Sequence, residues 1–427
     1  MAGVTTRIRV LFLVLTVVVG LMGCDREAEE AVGSRLTVWA HSGQPAERRV
    51  LQEQVERFNA RHPDLTVELT LVPEGDYNAQ VQAAALAGEL PDILEFDGPF
   101  LYNYVWQGHL QPVDSLITEA VRRDLLPSIV AQGSFRGRLY GVGTFDSGLG
   151  LFTRKSLLEQ VGMPLPDSPR SAWSVAQFNE LLARLAAQDD DGAVLDLKLN
   201  YRGEWYTYAF APVLYSAGAG LLRTPDFDRA TGVLDSDAAV RALSIVQEWI
   251  TSGKVDTNLD DNAFVSGRVA LSWAGHWEFN RYRQAFGDDL VVVPLPDFGQ
   301  GSRSGQGSWQ WGVNRQARNR EAVEAFLAFL LRPEEILAMT TANGAVPARH
   351  AAVARSVLYR RGGPLQLFAE QLQSSAVARP QTPAYPVVTS AFQRAFNDIR
   401  SGGDVQAILK RAAKTIDRDI QDNRGYR

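Results

Sequence analysis

Cysteine and histidine are both scarce in this sequence. Its 427 residues include one cysteine, at position 24, and five histidines. A single cysteine excludes internal disulfides and thiolate metal sites. The histidines, at positions 41, 62, 109, 276 and 350, are dispersed and lack the spacing of metal ligands. We therefore predict no metal site and no other cofactor.

An excess of positive charge is also missing. The chain carries 43 lysines and arginines against 49 acidic residues, a formal net charge of −6. Because a nucleic-acid partner requires a basic face that neutralises phosphates, this balance argues against one. The sequence contains no Gly-x-Ser-x-Gly elbow, Walker loop or His-Glu-x-x-His helix. We therefore predict a protein that is not an enzyme.

Long apolar runs are limited to the N-terminal region. Arg7 and Arg9 precede an apolar run over 10–20, which is shorter than the ~20 residues that span a bilayer. The following residues, Leu21-Met22-Gly23-Cys24, resemble the lipobox of bacterial lipoproteins. We predict a signal peptide over 1–23 and a charged tether over 24–35 that begins with lipidated Cys24. The lipid would hold the protein on the periplasmic face of the cell membrane.

The remaining residues begin with a β-α-β pattern. About 400 residues exceed what one hydrophobic core supports, so two lobes are expected. Residues 36–39 and 65–71 have strand patterns, and residues 47–61 between them have helical spacing. Such a unit is typical of a parallel sheet in an α/β fold.

A third strand is predicted within 91–97, after a helix over 77–88. Ligands of open α/β sheets bind beyond the carboxyl ends of strands, where Asp97 and the turn after the first strand lie. Further predicted elements are helices over 174–188, 237–250 and 321–331 and strands over 269–273 and 290–293.

Five segments, taken in order, resemble one family. They are 43–47, 91–97, 139–148, 264–277 and 345–349. Their order and spacing are similar to those of the extracellular solute-binding proteins of the sugar-binding class, which includes maltose- and trehalose-binding proteins of ABC importers.

This resemblance implies a two-lobe periplasmic-binding-protein fold of type II, with the ligand cleft between lobes joined by several crossing segments. The N-terminal lobe would comprise 36–145 and 295–332, and the C-terminal lobe 146–294 and 333–427. It also implies an extracytoplasmic substrate-binding lipoprotein that captures a di- or oligosaccharide by cleft closure and delivers it to the permease. A monomer is expected.

Aromatic platforms and hydrogen-bonding side chains are what a sugar site requires. Trp273 and Trp277 are predicted to lie just past a strand end, and Trp309 and Trp311 to follow a glycine-rich loop, where rings can face a cleft. Core packing is the alternative for each tryptophan. The resemblance adds a second-lobe sugar platform, matched by Trp205 and Tyr206.

The polar candidates are Glu47, Asp97, Asp146 and Arg349. A carboxylate accepts hydrogen bonds from two hydroxyl groups, and charged groups form the stronger bonds in a closed cleft. Turn capping is the alternative for the two aspartates, a helix-terminus role for Glu47, and a surface ion pair for Arg349. The neighbouring Ser42, Gly275 and Gly312 complete the predicted site.

Two other functions remain open from the sequence. A polyamine-binding protein needs an acid-rich aromatic box, which Asp97, Asp146, Glu204 and the tryptophans would partly supply. A secreted glycoside hydrolase needs two carboxyl groups about 5 to 10 Å apart, one with a raised pKa.

Overall fold

The computed structural model describes residues 35–307 and 309–427. The predicted signal peptide, Cys24 and nearly all of the tether therefore lie outside the described residues. None of the described helices combines the length and apolarity that crossing a bilayer requires.

The strands and helices alternate along much of the chain. The strands are β1 (Arg35–His41), β2 (Thr66–Val72), β3 (Ile93–Asp97), β4 (Leu110–Gln111), β5 (Ser134–Phe135), β6 (Arg138–Leu139), β7 (Gly141–Val142), β8 (Phe145–Asp146), β9 (Leu149–Arg154), β10 (Leu195–Asp196), β11 (Leu271–Gly275), β12 (Leu290–Val293), β13 (Ser304–Gln306), β14 (Trp309–Asn314), β15 (Val346–Pro347) and β16 (Ala376–Ala378). The helices are α1 (Pro45–Arg61), α2 (Glu74–Ala87), α3 (Leu101–Trp106), α4 (Glu119–Asp124), α5 (Pro127–Gly133), α6 (Lys155–Gln160), α7 (Val175–Ala186), α8 (Trp205–Ser216), α9 (Asp237–Thr251), α10 (Phe279–Phe286), α11 (Arg320–Leu330), α12 (Pro333–Asn343), α13 (His350–Val353), α14 (Gln366–Ser374), α15 (Tyr385–Arg400) and α16 (Val405–Asp422).

The first lobe is built on a sheet of order β2-β1-β3-β14-β4, with β7 also paired to β14. β1 is parallel to β2 and β3, which confirms the predicted β-α-β unit. Between β1 and β2, α1 begins at Pro45 and buries Leu51, Val55 and Phe58, which lie on one helical face. Because β1 and β3 are parallel, their last residues, His41 and Asp97, lie at the same edge of the sheet.

The second lobe is built on a sheet of order β10-β11-β9-β12. Helices α7, α8, α9, α15 and α16 supply buried apolar side chains to a core that includes the strands β9, β10 and β11. The predicted capping box that opens α7 is present, since Ser174 and Gln177 bond each other's backbone amides.

Several short pairings join the segments that pass between the lobes. β8 pairs with β15, β13 pairs with β16, and Ser147 forms a bridge with Gly307. Helix α12 packs on α1, and Ile336 and Met339 lie in the first-lobe core. The sequence predicted that residues from 333 onward belong to the second lobe. The apolar face of α12 instead packs into the core of the first lobe. Residues from Ala384 onward contribute to the second-lobe core.

Two tryptophan environments differ from the prediction. Trp309 and Trp311 lie on β14, paired opposite Asp97 and Glu95 of β3, rather than in a loop. Trp273 lies inside β11 rather than beyond its end. β11 is buried along its whole length, so it lacks the alternation of polar and apolar residues that marks a half-exposed strand.

Candidate functional site

His41 anchors a cluster at the carboxyl edge of the first-lobe sheet. Its ring stacks on Trp309 with centroids 3.6 Å apart and an interplanar angle of 4°. Nδ1 lies 2.8 Å from Oε2 of Glu95, and Nε2 lies 3.8 Å from Oε1 of Glu47. Burial alone would lower the pKa of His41, but the carboxylates of Glu95, Glu47 and Glu74 outweigh it and raise the pKa to about 9. His41 is therefore a cation at neutral pH.

Arg379 connects this edge with the second lobe. Its Nη1 and Nη2 donate to the two carboxylate oxygens of Asp97 at 2.6 and 2.5 Å, and Nη1 donates to Oε2 of Glu204 at 3.1 Å. Glu204 also accepts from the hydroxyls of Thr389, at 2.8 Å, and Tyr385. Burial raises the pKa of Glu204 to about 7 despite the neighbouring guanidinium. One buried cation thus joins carboxylates from both lobes.

Trp277 is a partly exposed aromatic residue on the second-lobe side. Its ring lies against Gly275, where a Cβ atom would collide with it. The edge of Trp205 meets it at 6.0 Å between centroids, and Tyr208 lies at 6.3 Å. Tyr208 in turn packs under the guanidinium of Arg379, 5.1 Å from the ring centroid. The rings of Trp205, Trp277 and Tyr208 are therefore continuous with the Asp97–Arg379 pair.

A chain of hydrogen bonds runs from Tyr208 to the first lobe. Ser147 Oγ lies 2.9 Å from the Tyr208 hydroxyl and 3.0 Å from His276 Nε2, and His276 Nδ1 lies 2.8 Å from the carbonyl of Asn343. Because a carbonyl only accepts, Nδ1 carries the proton, Ser147 donates to Nε2, and Tyr208 donates to Ser147. Burial lowers the pKa of His276 to about 4, so this ring is neutral. The Asn343 amide then donates to Glu47 at 3.0 Å.

The site has two sides, one from each lobe. The first-lobe half consists of His41, Glu47, Glu95, Asp97 and Trp309. The second-lobe half consists of Glu204, Trp205, Tyr208, His276 and Trp277. Arg379 joins the two halves.

Seven of the predicted site residues lie in or beside these halves. They are Ser42, Glu47, Asp97 and Trp309 on the first-lobe side and Trp205, Gly275 and Trp277 on the second-lobe side. Ser42 follows β1, and its amide donates to the Val72 carbonyl at 2.8 Å.

Four predicted residues lie inside the lobe cores instead. Tyr206 stacks on Phe396 and donates to a backbone carbonyl at 3.1 Å. Trp273 and Trp311 are 1% and 2% exposed. Gly312 faces Phe96, whose ring leaves no room for a Cβ atom. We leave these four out of the proposed site because their neighbours are core side chains.

Asp146 and Arg349 occupy other positions. Asp146 is fully buried in the segment between the lobes, where Gln132 and the Ser147 amide donate to it at 3.2 and 2.7 Å. Burial raises the pKa of Asp146 to about 6. Arg349 donates to Asp124 at 2.8 Å and to the Leu331 carbonyl at 2.7 Å, so it holds the first lobe together.

Several members of the two halves were not predicted. Glu95 lies two residues before Asp97 on β3, and alternation along a strand places both on one face, which is a signal that the sequence offers. Arg379 follows the short strand β16 and has no motif around it. Among the described residues, no group of three histidine, cysteine or acidic side chains is arranged to hold a metal ion.

Comparison with known proteins identifies the family. Residues 53–361 match the model of the bacterial extracellular solute-binding proteins. Among relatives, the maltotriose-binding protein of Pyrococcus abyssi is 22% identical over 93% of this chain and 84% of its own. An uncharacterized lipoprotein of Streptomyces antibioticus is 24% identical over 94% and 90%.

Solved structures confirm the two-lobe fold. The GacH receptor of Streptomyces glaucescens, known unliganded and with acarbose, has a TM-score of 0.77 at 24% identity, covering 93% of this chain and 100% of its own. Maltose-bound MalE3 of T. maritima has a TM-score of 0.75 at 21% identity, covering 91% and 99%. The chain belongs to the family of bacterial extracellular solute-binding proteins.

Proposed function

We propose that this protein captures a carbohydrate between the first-lobe and second-lobe halves and delivers it to the permease of an ABC importer. One observation carries the proposal: Trp309 and Trp277, one from each lobe, are partly exposed, and a series of contacts through Asp97, Arg379 and Tyr208 links them. Partly exposed indole faces suit the apolar faces of sugar rings, and the surrounding polar groups suit their hydroxyls.

The names of relatives support a di- or oligosaccharide as the ligand. Besides the maltotriose-binding protein, a lactose-binding protein of Rhizobium radiobacter is 24% identical over 65% of this chain and 66% of its own. Because these identities are low, the relatives support the class of ligand and not a particular sugar.

Capture proceeds by closure of the lobes. Each half belongs to a different lobe, and short strand pairings connect the segments that pass between them. A ligand that contacts both halves stabilises the closed arrangement by its extra contacts, and so shifts the open-closed equilibrium. The permease then recognises the closed form.

We propose that the protein binds the carbohydrate without catalysing a reaction on it. Glycoside hydrolysis needs a protonated carboxyl group that is free to reach the scissile bond. Glu204, whose pKa is raised to about 7, has both oxygens engaged by Thr389, Tyr385 and Arg379. The same pairing disfavours a polyamine, since Arg379 already occupies Asp97 and Glu204 and places a positive charge between them.

A thermal-shift screen of the mature chain tests this function. Maltose, maltotriose, lactose, spermidine and glutamate are added separately, because a ligand that binds only the native state raises the melting temperature. We expect a sugar to stabilise the protein and to remain intact after incubation. Stabilisation by spermidine alone would show that the ligand is a polyamine and not a carbohydrate. Hydrolysis of the sugar would show that the protein is an enzyme.

The membrane anchor is a separate proposal. We infer that Cys24 carries the lipid and holds a monomer on the periplasmic face of the membrane, since Cys24 is the only cysteine and follows the lipobox-like residues. A Cys24→Ser variant should lose its partitioning into detergent while ligand binding is unchanged. If the variant partitions as the wild type does, the anchor lies elsewhere.

A further inference from the structure

The carboxylates of the two halves are already engaged by protein groups. Both oxygens of Asp97 bond Arg379. Glu47 accepts from the Asn343 amide at 3.0 Å and from the Gln44 backbone at 3.3 Å, and Glu95 bonds His41 at 2.8 Å. A carboxylate oxygen that holds a strong bond has less capacity for a ligand hydroxyl. These carboxylates therefore hold the site in shape and leave few free acceptors for a ligand.

Glu74 differs from them. It is the first residue of α2, directly beyond the end of β2, at the sheet edge where His41 ends the neighbouring strand β1. Its side chain is exposed, and among the described residues none donates a hydrogen bond to it or forms an ion pair with it. Both of its oxygens are therefore available to a ligand.

Glu74 lies beside the first-lobe half, since Val72, two residues before it, is the strand partner of His41. Its carboxylate interacts electrostatically with His41, Asp97, Glu47 and Arg379, which belong to or join the two halves. Although solvent reaches the side chain, the protein around it displaces enough water to raise its pKa, and Asp97 and Glu47 add to this effect. An exposed carboxylate that lies beside the buried groups of the site and has no protein partner among the described residues can reach a ligand bound there.

We propose that Glu74 is a specificity-determining residue that accepts hydrogen bonds from two neighbouring hydroxyl groups of the carbohydrate. This assignment rests on the proposed function and names the chemistry that one part of the site recognises. A sugar that lacks one of these hydroxyls leaves a carboxylate oxygen without its donor in the closed site, which weakens binding more than the loss of a neutral acceptor.

Paired variants test the assignment. Glu74→Gln keeps the size of the side chain but removes its charge and one acceptor. Asp76→Asn changes an exposed carboxylate of the same first turn that projects from another face of α2, so it matches any effect on the helix dipole. The probe is whichever of maltose, maltotriose and lactose stabilises the wild type most, and its Kd is measured by isothermal titration calorimetry.

We expect Glu74→Gln to raise the Kd about 10- to 100-fold and Asp76→Asn to change it less than about 2-fold. Deoxy analogues of the probe sugar supply a readout that a merely structural role would not alter. Loss of the relevant hydroxyl should weaken binding to the wild type much more than binding to Glu74→Gln, as in a double-mutant cycle.

The outcomes separate this assignment from the proposed function. If the probe binds the wild type and Glu74→Gln within about 3-fold of each other, or if every deoxy analogue loses the same factor in both proteins, Glu74 does not contact the sugar and the proposed function stands. If no sugar binds the wild type, the proposed function fails and this assignment fails with it.

Discussion

The two halves of the site each contain one buried histidine, and the two histidines are in opposite charge states. His41 lies among Glu95, Glu47 and Glu74, and its pKa is raised to about 9. His276 lies between a backbone carbonyl and the Ser147 hydroxyl, and burial lowers its pKa to about 4. Equal burial has opposite consequences because the carboxylates of Glu95, Glu47 and Glu74 outweigh the effect of burial at His41, whereas Glu47 alone does not outweigh it at His276.

The difference shows how the two halves are organised. In the first-lobe half, a charged group positions Trp309. The His41 cation stacks on the Trp309 ring and is itself held by an ion pair with Glu95. In the second-lobe half, Trp277 packs against the rings of Trp205 and His276, and His276 in turn is held by hydrogen bonds between neutral groups. Arg379 is where the two arrangements meet, because it forms an ion pair with a carboxylate from each lobe.

Removing Arg379 should break this organisation most severely. In Arg379→Gln, Asp97 and Glu204 lose their shared cation in a buried setting, and we expect the free energy of unfolding to fall by about 3 to 5 kcal/mol. Urea denaturation at pH 7 measures the change. Arg123→Gln is the control, because Arg123 forms an exposed pair with Glu119 that contributes at most about 1 kcal/mol. Equal losses in the two variants would show that Arg379 does not hold the halves together.

The fold was largely predictable because its elements have strong local signals. The spacing of Leu51, Val55 and Phe58 and the capping box of α7 are properties of a few neighbouring residues. The strand β14 was missed because the sequence before it is rich in glycine and predicted a loop, whereas pairing with β3 makes it a strand. Such pairing depends on residues more than 200 positions away and leaves no local pattern.

The site was predictable only where it follows strand ends. Glu47 and Asp97 lie at the carboxyl edge of the first sheet, which the β-α-β pattern already located. Arg379 is 282 residues from its partner Asp97, so the sequence near either residue does not indicate that the two form a pair. Trp277 and Trp311 looked alike in sequence, and only the packing of Trp311 against Phe326 separates the core tryptophan from the partly exposed one.

The histidine contrast predicts two separate losses of stability with pH. His41 has a folded pKa of about 9 against an ordinary value of 6.5, so its stabilising contribution is complete below pH 6.5 and is lost as the pH rises through 9. His276 has a folded pKa of about 4, so the unfolded chain takes up its proton first and stability is lost as the pH falls from 6.5 to 4. Each contribution is on the order of 3 kcal/mol, since one pKa unit corresponds to 1.36 kcal/mol.

Variants assign each loss to its histidine. Because Glu95 would be left buried and unpaired by a change at His41 alone, the double variant His41→Gln, Glu95→Gln replaces the ion pair by two amides. This double variant should not lose stability at alkaline pH but should still lose it at acid pH. His276→Gln should lose stability at alkaline pH but not at acid pH. The free energy of unfolding in urea is measured from pH 4 to 9, with exposed His350→Gln as the control. If both variants follow the wild type over the whole range, the two rings do not differ in charge, and the contrast between the charged His41 and the neutral His276 is wrong.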